Sequence, residues 1–342
     1  MQMMAGKPII DPALTSDEAS NSVTKRVGGK LVLRPSSIAS HCPYSYAQNA
    51  ILGLKSKPSG ASAGGTAYHY ALELAYDHKI QTGALPPVAD IIEIGRENWR
   101  AVQTVEELHY SSKDSPDKMT DDLANGLASY YPTMNHIIPV ATETRLRVAL
   151  PKPSSVYSEI SGSIDLLAKG NIVRPKIGGG TETIDGVDII DHKFTTKKST
   201  TAKYRLQAGM YRVMVESNGM VATGSVLHNM IRSEVLKTKS NPTRLELVRP
   251  DWNEATKQVL RSKLTELIDR AELVTFLTHD LSVDPADAVK VVYPTTTPEA
   301  SFLCNELWCG YFWECPINNQ ASMPKLNLLD LISQYRNSKG GM

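Results

Sequence analysis

The feature that most constrains the fold of this chain is a largely apolar run that ends in charged side chains. The run is Val187–Ile190, and Asp191, His192 and Lys193 follow it directly. A strand with one face in water alternates strictly between apolar and polar residues, and this run does not. The absence of alternation is typical of a central strand covered on both faces. Charge at the end of a buried strand is costly unless it is paired or bound to a metal. This position therefore predicts a functional site.

The remaining patterns predict an α/β fold in which a mixed central sheet is flanked by helices. Hydrophobic periodicity indicates strands at Thr142–Leu150, Ser158–Ala168, Val187–Phe194 and Ala222–Ile231. Cap residues and apolar spacing indicate helices at Pro35–Leu52, at Ala67–His78 with Thr66 as cap, at Thr201–Glu216, and from the cap Asp251 to Leu277. Glycine-rich composition predicts a loop at Pro58–Gly65 and a long hairpin connection at Asn171–Gly186.

The domain organisation predicted from these patterns is one large domain with two less ordered ends. We expect a flexible arm over residues 1–30, a domain over 31–318 with a helical insertion at about 84–136, and a tail over 319–342. A chain of 342 residues is long enough to bury a substantial core in a single domain.

The composition excludes several classes of protein. With 41% hydrophobic residues and a net charge of +1, the chain is neither disordered in character nor surrounded by a basic field. No apolar run approaches the roughly 20 residues that span a bilayer. The N-terminal segment also lacks the apolar core of a signal peptide. We expect a cytoplasmic protein with no membrane partner.

A set of metal-ligating residues accompanies the charged end of the central strand. Asp191 and Lys193 are two residues apart on a strand, so both side chains lie on the same face. Asp165 precedes Asp191 by 26 residues, and a hairpin between them would bring the two carboxylates together. Such carboxylates suit Mg²⁺, and a nitrogen ligand from His69 favours tolerance of Mn²⁺ as well. Taken singly, an Asp-x-Lys is more often a surface pair and a lone histidine is more often an ordinary hydrogen-bonded one.

The order of four motifs resembles a known nuclease family. Gly65-Thr66-x-x-His69, Gly162-x-x-Asp165, Asp191-x-Lys193 and Gln207-x-x-x-Tyr211 are similar to the RecB-type branch of the PD-(D/E)XK nucleases, over about residues 33 to 318. That branch includes AddB nucleases, CRISPR-adaptation nucleases and many phage exonucleases. The resemblance implies a restriction-endonuclease-like core.

The resemblance also implies roles for individual residues. His69, Asp165 and Asp191 would bind Mg²⁺ or Mn²⁺, Lys193 would be the catalytic lysine, and Asp191 replaces the commoner Glu. Gln207 and Tyr211 match a helix motif that lies over the site. They are four residues apart and therefore share a helix face. The alternative for this pair is a helix that packs Tyr211 into the core.

A local basic stretch follows the central strand. Between His192 and Val215 there is no Asp or Glu, and the candidate DNA-contacting residues in this stretch are Lys197, Lys198, Lys203 and Arg205. Positive charge just beyond an acidic site suits a phosphate backbone that runs past the metal. A solvated loop and helix face is the alternative.

Four cysteines lie near the two ends of the predicted domain. Cys304, Cys309 and Cys315 follow a C-x4-C-x5-C spacing, and Cys42 lies far upstream. Spacing alone permits zinc, an iron–sulfur cluster or four unrelated buried thiols. The family resemblance implies a [4Fe–4S] cluster on all four, although the family spacing is typically C-x2-C-x5-C and the wider first gap departs from it.

These patterns together predict a metal-dependent DNA exonuclease that acts on single strands or duplex ends in recombination, repair or phage DNA processing. A CRISPR-adaptation-type nuclease that trims DNA ends is one alternative. A DNA-binding scaffold whose nuclease site has lapsed is another. The sequence has no G-x-x-x-x-G-K-[ST] motif, so unwinding by ATP would need a helicase partner, and a recombinase or an integrase is the other expected partner class.

Overall fold

A computed structural model of the chain describes ten stretches of residues. They are 30–38, 42–54, 58–105, 107–111, 114–176, 179–197, 201–236, 239–293, 315 and 328–340. Within these stretches the chain forms two compact units. The first is built from residues 58–148 and 161–257, and the second from residues 30–54, 149–160 and 258–340.

The elements alternate between helices and strands along the chain. The helices are α1 (Pro35–Ile38), α2 (Pro43–Ala50), α3 (Gly60–Thr82), α4 (Val88–Val105), α5 (Pro116–His136), α6 (Thr201–Ser217), α7 (Glu254–His279), α8 (Pro285–Val292) and α9 (Leu328–Gly340). The strands are β1 (Leu31–Leu33), β2 (Pro139–Val148), β3 (Tyr157–Pro175), β4 (Thr181–Thr195), β5 (Ala222–Ile231), β6 (Glu234–Leu236), β7 (Lys239–Asn241) and β8 (Arg244–Val248).

The sheet is mixed and has six strands, as the sequence predicts. Its order is β1-β3-β4-β5-β8, and β2 also pairs with β3. Strand β4 is central, since it pairs antiparallel with β3 and parallel with β5. The alternating burial expected of a half-exposed strand is absent over residues 189–192, all of which are buried. The prediction of a central strand covered on both faces is confirmed.

Helices α3, α4 and α5 of the first unit pack together and against this sheet. Their buried side chains form one cluster with residues of β3, β4 and β5, and its fully buried large members include Trp99, Met119 and Tyr130. Glycine allows α5 to approach β4 closely. A Cβ on Gly126 would lie 2.8 Å from the Phe194 ring and 3.2 Å from Met230. Close packing of this kind fixes the position of β4 next to the site.

Two predicted helices begin or break elsewhere than expected. The predicted helix Pro35–Leu52 is two helices, because Pro43 starts a new one and the preceding Cys42 caps it. The predicted loop Pro58–Gly65 is wrong, since α3 begins at Gly60 with Ser59 as its cap. Thr66 therefore does not cap this helix. Its hydroxyl donates to the Ser62 carbonyl inside α3.

The same kind of correction applies to the hairpin and to the last long helix. The predicted connection Asn171–Gly186 is mostly paired strand, with a register that reaches Pro175 opposite Thr181. The turn lies at Gly179 and Gly180, whose φ angles of +100° and +84° suit glycine. At α7 the cap is Asn253 rather than Asp251, because the Asn253 side chain accepts the Thr256 backbone N–H at 2.9 Å.

Several short elements had no clear signal in the sequence. These are β1, β6, β7, β8, α8 and α9, of which α9 lies within the predicted tail. In the part of the chain that the structure describes, no helix combines the length and the apolar character that crossing a membrane requires. The predicted domain boundaries and the insertion stay predictions.

Candidate metal centre and nuclease site

The β3–β4 hairpin brings the two predicted carboxylates to one place. The antiparallel register pairs Leu166 with Ile190, so Asp165 and Asp191 come one residue beyond that pair on neighbouring strands. Beyond the pair, the backbone N–H of His192 donates to Asp165 Oδ2 at 2.7 Å. The predicted approach of the two aspartates through a hairpin is confirmed, and the Asp165 carboxylate is held by the main chain of β4.

Three ligand atoms gather at this place. One atom each from His69 on α3, Glu143 on β2 and Asp165 on β3 lies within 4.8 Å of the other two. His69 Nδ1 is 3.3 Å from Asp165 Oδ2. One imidazole nitrogen and two carboxylates form a donor set that suits Mg²⁺ or Mn²⁺. The three residues are partly exposed, so water and a phosphate oxygen can reach the same position.

Asp191 lies beside this group and is paired with Lys193. Asp191 Oδ2 is 2.7 Å from Lys193 Nζ, and only 9% of the Asp191 side chain is exposed. Burial raises the pKa of the Asp191 carboxyl above its usual value. Lys193 opposes this rise and the nearby Asp165 adds to it. The two aspartates therefore interact electrostatically, as two carboxylates near one cation site would.

Lys193 carries a positive charge at neutral pH. Burial lowers the pKa of its ammonium, but Asp191 and Asp165 more than offset this effect, so the pKa lies above its ordinary value. The ammonium also lies 5.5 Å from the centre of the Tyr204 ring. A lysine in this state cannot accept a proton at neutral pH, but it can stabilise negative charge on a phosphate.

Helix α6 places the predicted Gln-x-x-x-Tyr pair over Asp191. Gln207 Nε2 donates to Asp191 Oδ1 at 3.4 Å and to the Tyr211 hydroxyl at 3.2 Å. Tyr211 is buried, and burial together with Asp191 and Asp165 raises the pKa of its hydroxyl. The structure thus combines the two alternatives. The Tyr211 ring is packed inside the molecule, and its hydroxyl accepts from Gln207, which also donates to Asp191.

The predicted basic residues are described only in part. Lys197 lies two residues after the end of β4, and Arg205 lies on α6 with a buried Nε. The burial of Arg205 Nε makes it a weaker candidate for a DNA contact than an exposed cation. Lys198 and the side chain of Lys203 lie outside the described residues, so the DNA-binding role of the stretch stays a prediction.

The cysteines are likewise only partly described. Cys42 caps α2, where its Sγ accepts the Ser45 backbone N–H at 3.5 Å, and Cys315 is buried. Cys304 and Cys309 lie outside the described residues. The four-cysteine cluster therefore stays a prediction.

Glu143 is the site residue that sequence reasoning missed. It is the single acidic residue between His136 and Ser158, and it lies in a correctly predicted strand. The sequence signal that could have identified Glu143 is a single acidic residue in a predicted strand, although Glu143 belongs to none of the four motifs. Its φ of +39° is left-handed, which is unusual for a residue other than glycine and typical of functional positions.

A comparison with known families agrees with this geometry. The sequence profile of the PD-(D/E)XK nuclease superfamily matches residues 37–277, well over half of the chain. The matched range contains His69, Glu143 and Asp165, the three residues that could hold a metal ion and that we call the metal group, as well as Asp191, Lys193 and the helix pair. Among curated proteins, none matches the sequence. The chain therefore belongs to the PD-(D/E)XK nuclease superfamily, and this membership implies a divalent-metal-dependent nuclease.

Proposed function

We propose that this protein is a divalent-metal-dependent DNA exonuclease of the RecB-type branch. The observation that carries the proposal is the His69–Glu143–Asp165 group, in which three ligand atoms lie within 4.8 Å of one another. The charged Lys193 belongs to the same site through its electrostatic interaction with Asp165. The order of the four motifs along the chain supports the branch.

Each residue has a distinct role in the proposed reaction. His69, Glu143 and Asp165 would hold Mg²⁺ or Mn²⁺, with Asp191 beside them as a further ligand. The bound metal would lower the pKa of a water molecule and stabilise charge on the phosphate. Lys193 supplies fixed positive charge for the transition state. Gln207 and Tyr211 restrain the Asp191 carboxylate from the side of α6.

The test of the proposal is digestion of end-labelled single-stranded and double-stranded DNA with Mg²⁺ or Mn²⁺. We expect products that shorten progressively from an end, and no cleavage in EDTA. Ca²⁺ should support DNA binding without cleavage, because its looser coordination does not align water and phosphate for in-line attack. Hydrolysis that persists in EDTA would refute metal dependence.

The same assay separates the alternatives. Internal cuts in a circular substrate would identify an endonuclease. Trimming to a fixed length only with an integrase partner would favour the CRISPR-adaptation alternative. Metal and DNA binding without any cleavage would indicate a lapsed site. Asp191→Asn should abolish cleavage and keep DNA binding, because the uncharged amide no longer pairs with Lys193 or acts as an anionic ligand.

We propose that DNA follows the basic stretch Lys197, Lys198, Lys203 and Arg205. Replacing the three lysines with glutamine together should flatten the dependence of log affinity on log salt. The slope should change by about 0.7–0.9 for each phosphate that the protein no longer neutralises. An unchanged slope would locate the DNA elsewhere on the protein.

We also propose that Cys42, Cys304, Cys309 and Cys315 hold a [4Fe–4S] cluster with a structural role. Phosphodiester hydrolysis needs no electron transfer, so the cluster would contribute folding energy instead. Anaerobically purified protein should contain iron and sulfide, and Cys309→Ser should lose the colour and melt at lower temperature. Stoichiometric zinc without iron would refute the cluster.

The expected cellular setting follows from the proposed substrate. We propose action in the cytoplasm on single-stranded DNA or duplex ends, in recombination, repair or phage DNA processing. The partner classes that we propose are a helicase, a recombinase or an integrase. The given sequence contains no P-loop motif, and a helicase would supply unwinding by ATP.

A further inference from the structure

A buried polar cluster surrounds the ring of His192, the residue between Asp191 and Lys193. Its members are Tyr76 on α3, Tyr130 on α5, His192 on β4 and His228 on β5, and all four are at most 5% exposed. The Tyr130 hydroxyl lies between the two imidazoles, 3.0 Å from His192 Nε2 and 2.5 Å from His228 Nδ1. Tyr76 donates its hydroxyl hydrogen to the Tyr130 oxygen at 3.1 Å. None of these contacts is used by the proposed reaction.

His192 connects this cluster to the metal group. Its backbone N–H donates to Asp165 Oδ2, and its ring Nδ1 lies 3.8 Å from the same oxygen. The ring also packs edge-on against the ring of His69, with 6.1 Å between the centroids. His192 therefore touches two of the three residues of the metal group, Asp165 and His69.

Counting protons fixes the direction of the hydrogen bonds. Both rings are buried, and the neutral form is the usual state of an imidazole at neutral pH. Each ring then carries one N–H. Tyr130 has one hydrogen, and its oxygen already accepts from Tyr76. Tyr130 must therefore donate to one imidazole and accept from the other.

Tyr130 can donate to His192 and accept from His228, or the reverse, and the carboxylate of Asp165 favours one of these two arrangements. A lone pair on His192 Nδ1 would face the negative oxygen at 3.8 Å, whereas an N–H there is attracted to it. This distance is too long for a hydrogen bond, so the attraction is electrostatic. The favoured arrangement has hydrogen on His192 Nδ1, with Tyr130 donating to His192 Nε2 and accepting from His228 Nδ1.

We propose that Tyr130 and His228 fix the tautomer of His192, and that His192 in turn orients Asp165 for the metal. All three are positioning residues, because they act on the ligand and do not touch the substrate. The inference rests on the proposed function in so far as Asp165 binds a metal. Partners of this kind typically change metal affinity or activity by about 10–100-fold.

The first test compares two tyrosine variants that each lose one buried hydroxyl. Tyr130→Phe removes the group between the imidazoles. The matched control Tyr76→Phe removes a hydroxyl that donates to Tyr130 and not to either histidine, and it keeps the ring that stacks on His192. The tautomer of His192 is measured by ¹⁵N NMR in metal-free protein, and Mn²⁺ affinity by titration. We expect nitrogen-bound hydrogen on Nδ1 in the wild type and in Tyr76→Phe. In Tyr130→Phe we expect a tautomer mixture and an Mn²⁺ dissociation constant about tenfold higher. Equal Mn²⁺ affinities in the two variants, or an Nε2–H tautomer in the wild type, would overturn the inference.

A second pair of variants covers the case in which Tyr130→Phe does not fold. His192→Asn keeps a side-chain donor near the Nδ1 position and should retain most of the Mn²⁺ affinity, whereas His192→Leu should lose it. Equal affinities in this pair would also overturn the proposal. Cleavage is scored separately. Wild-type protein that binds Mn²⁺ but does not cut DNA refutes the proposed function, while an active wild type with an unaffected Tyr130→Phe refutes only this inference.

Discussion

Replacing Glu143 with glutamine is the sharpest test of the metal group, because no motif of the sequence includes this residue. Its carboxylate lies within 4.8 Å of ligand atoms of His69 and Asp165. Glutamine keeps the size of the side chain and the backbone conformation at φ +39°, and it removes only the charge. The change in metal binding should therefore come from the missing anionic ligand and not from altered packing.

The expected size of the effect can be worked out from binding linkage. Metal at 100 times its dissociation constant stabilises the folded state by about 2.7 kcal/mol. If Glu143→Gln weakens binding tenfold, the same metal concentration stabilises by only about 1.4 kcal/mol, which is about 1.3 kcal/mol less. For a domain of about 200 residues this difference lowers the metal-induced rise in melting temperature by roughly 3–5 °C.

The assay is thermal unfolding with and without Mn²⁺, combined with calorimetric titration. Glu73→Gln is the matched control, because Glu73 lies on α3 one turn after His69 but outside the three-residue group. We expect the control to keep the wild-type rise in melting temperature. If Glu143→Gln also keeps it, Glu143 is not a ligand and its left-handed backbone needs another explanation.

Three further predictions concern catalysis, packing and pH. Lys193→Met should lower the cleavage rate about 10²–10³-fold at saturating metal with little loss of DNA binding, measured by single-turnover kinetics, and near-normal turnover would remove Lys193 from the site. Gly65→Ala should stabilise the protein by about 1 kcal/mol in urea unfolding, because nothing lies within 4 Å of its new Cβ. The neighbouring Gly64→Ala gains the same helix propensity but overpacks the core, because its Cβ would lie 2.3 Å from Met119 Sδ, so it should be less stable than Gly65→Ala by about 1–3 kcal/mol. Burial lowers the pKa of His228 to about 4, so the unfolded state binds more protons between about pH 6.5 and 4. Stability should fall by about 3 kcal/mol as the pH drops through that window, and His228→Gln should reduce the slope.

The central part of the fold could be predicted from the sequence because its signals are local. Strand β5 occupies the predicted range Ala222–Ile231, and α6 exceeds its predicted range by a single residue. The buried run before Asp191 identified β4 as central, and the separation of Asp165 from Asp191 suited a hairpin. Each of these predictions depends on periodicity or chain connectivity within a few tens of residues.

The parts that could not be predicted depend on contacts between distant segments. In the sequence alone, the glycines at 60 and 64 indicate a loop, yet both lie in α3. Gly60 faces the ring of Tyr110, and Gly64 faces Met119. A Cβ at either position would come within 2.4 Å of the partner side chain. Tertiary packing therefore outweighs the low helix propensity of glycine here.

The position of His192 shows why a motif does not define a site completely. In Asp191-x-Lys193 the middle residue points to the opposite face of the strand, so motif reasoning treats it as a spacer. That opposite face meets Tyr130, which is 62 residues away along the chain, and it is there that His192 is buried and hydrogen-bonded. A carboxylate that must bind a metal cannot be stabilised by burial alone, because burial favours its protonated form. Its orientation has to come from donors, and in this protein the main chain of the spacer residue supplies the shortest of them at 2.7 Å. The hairpin thus supplies the main-chain donor, whereas the surroundings of the His192 ring are set by the packing of α5 on the sheet, which no local pattern in the sequence records.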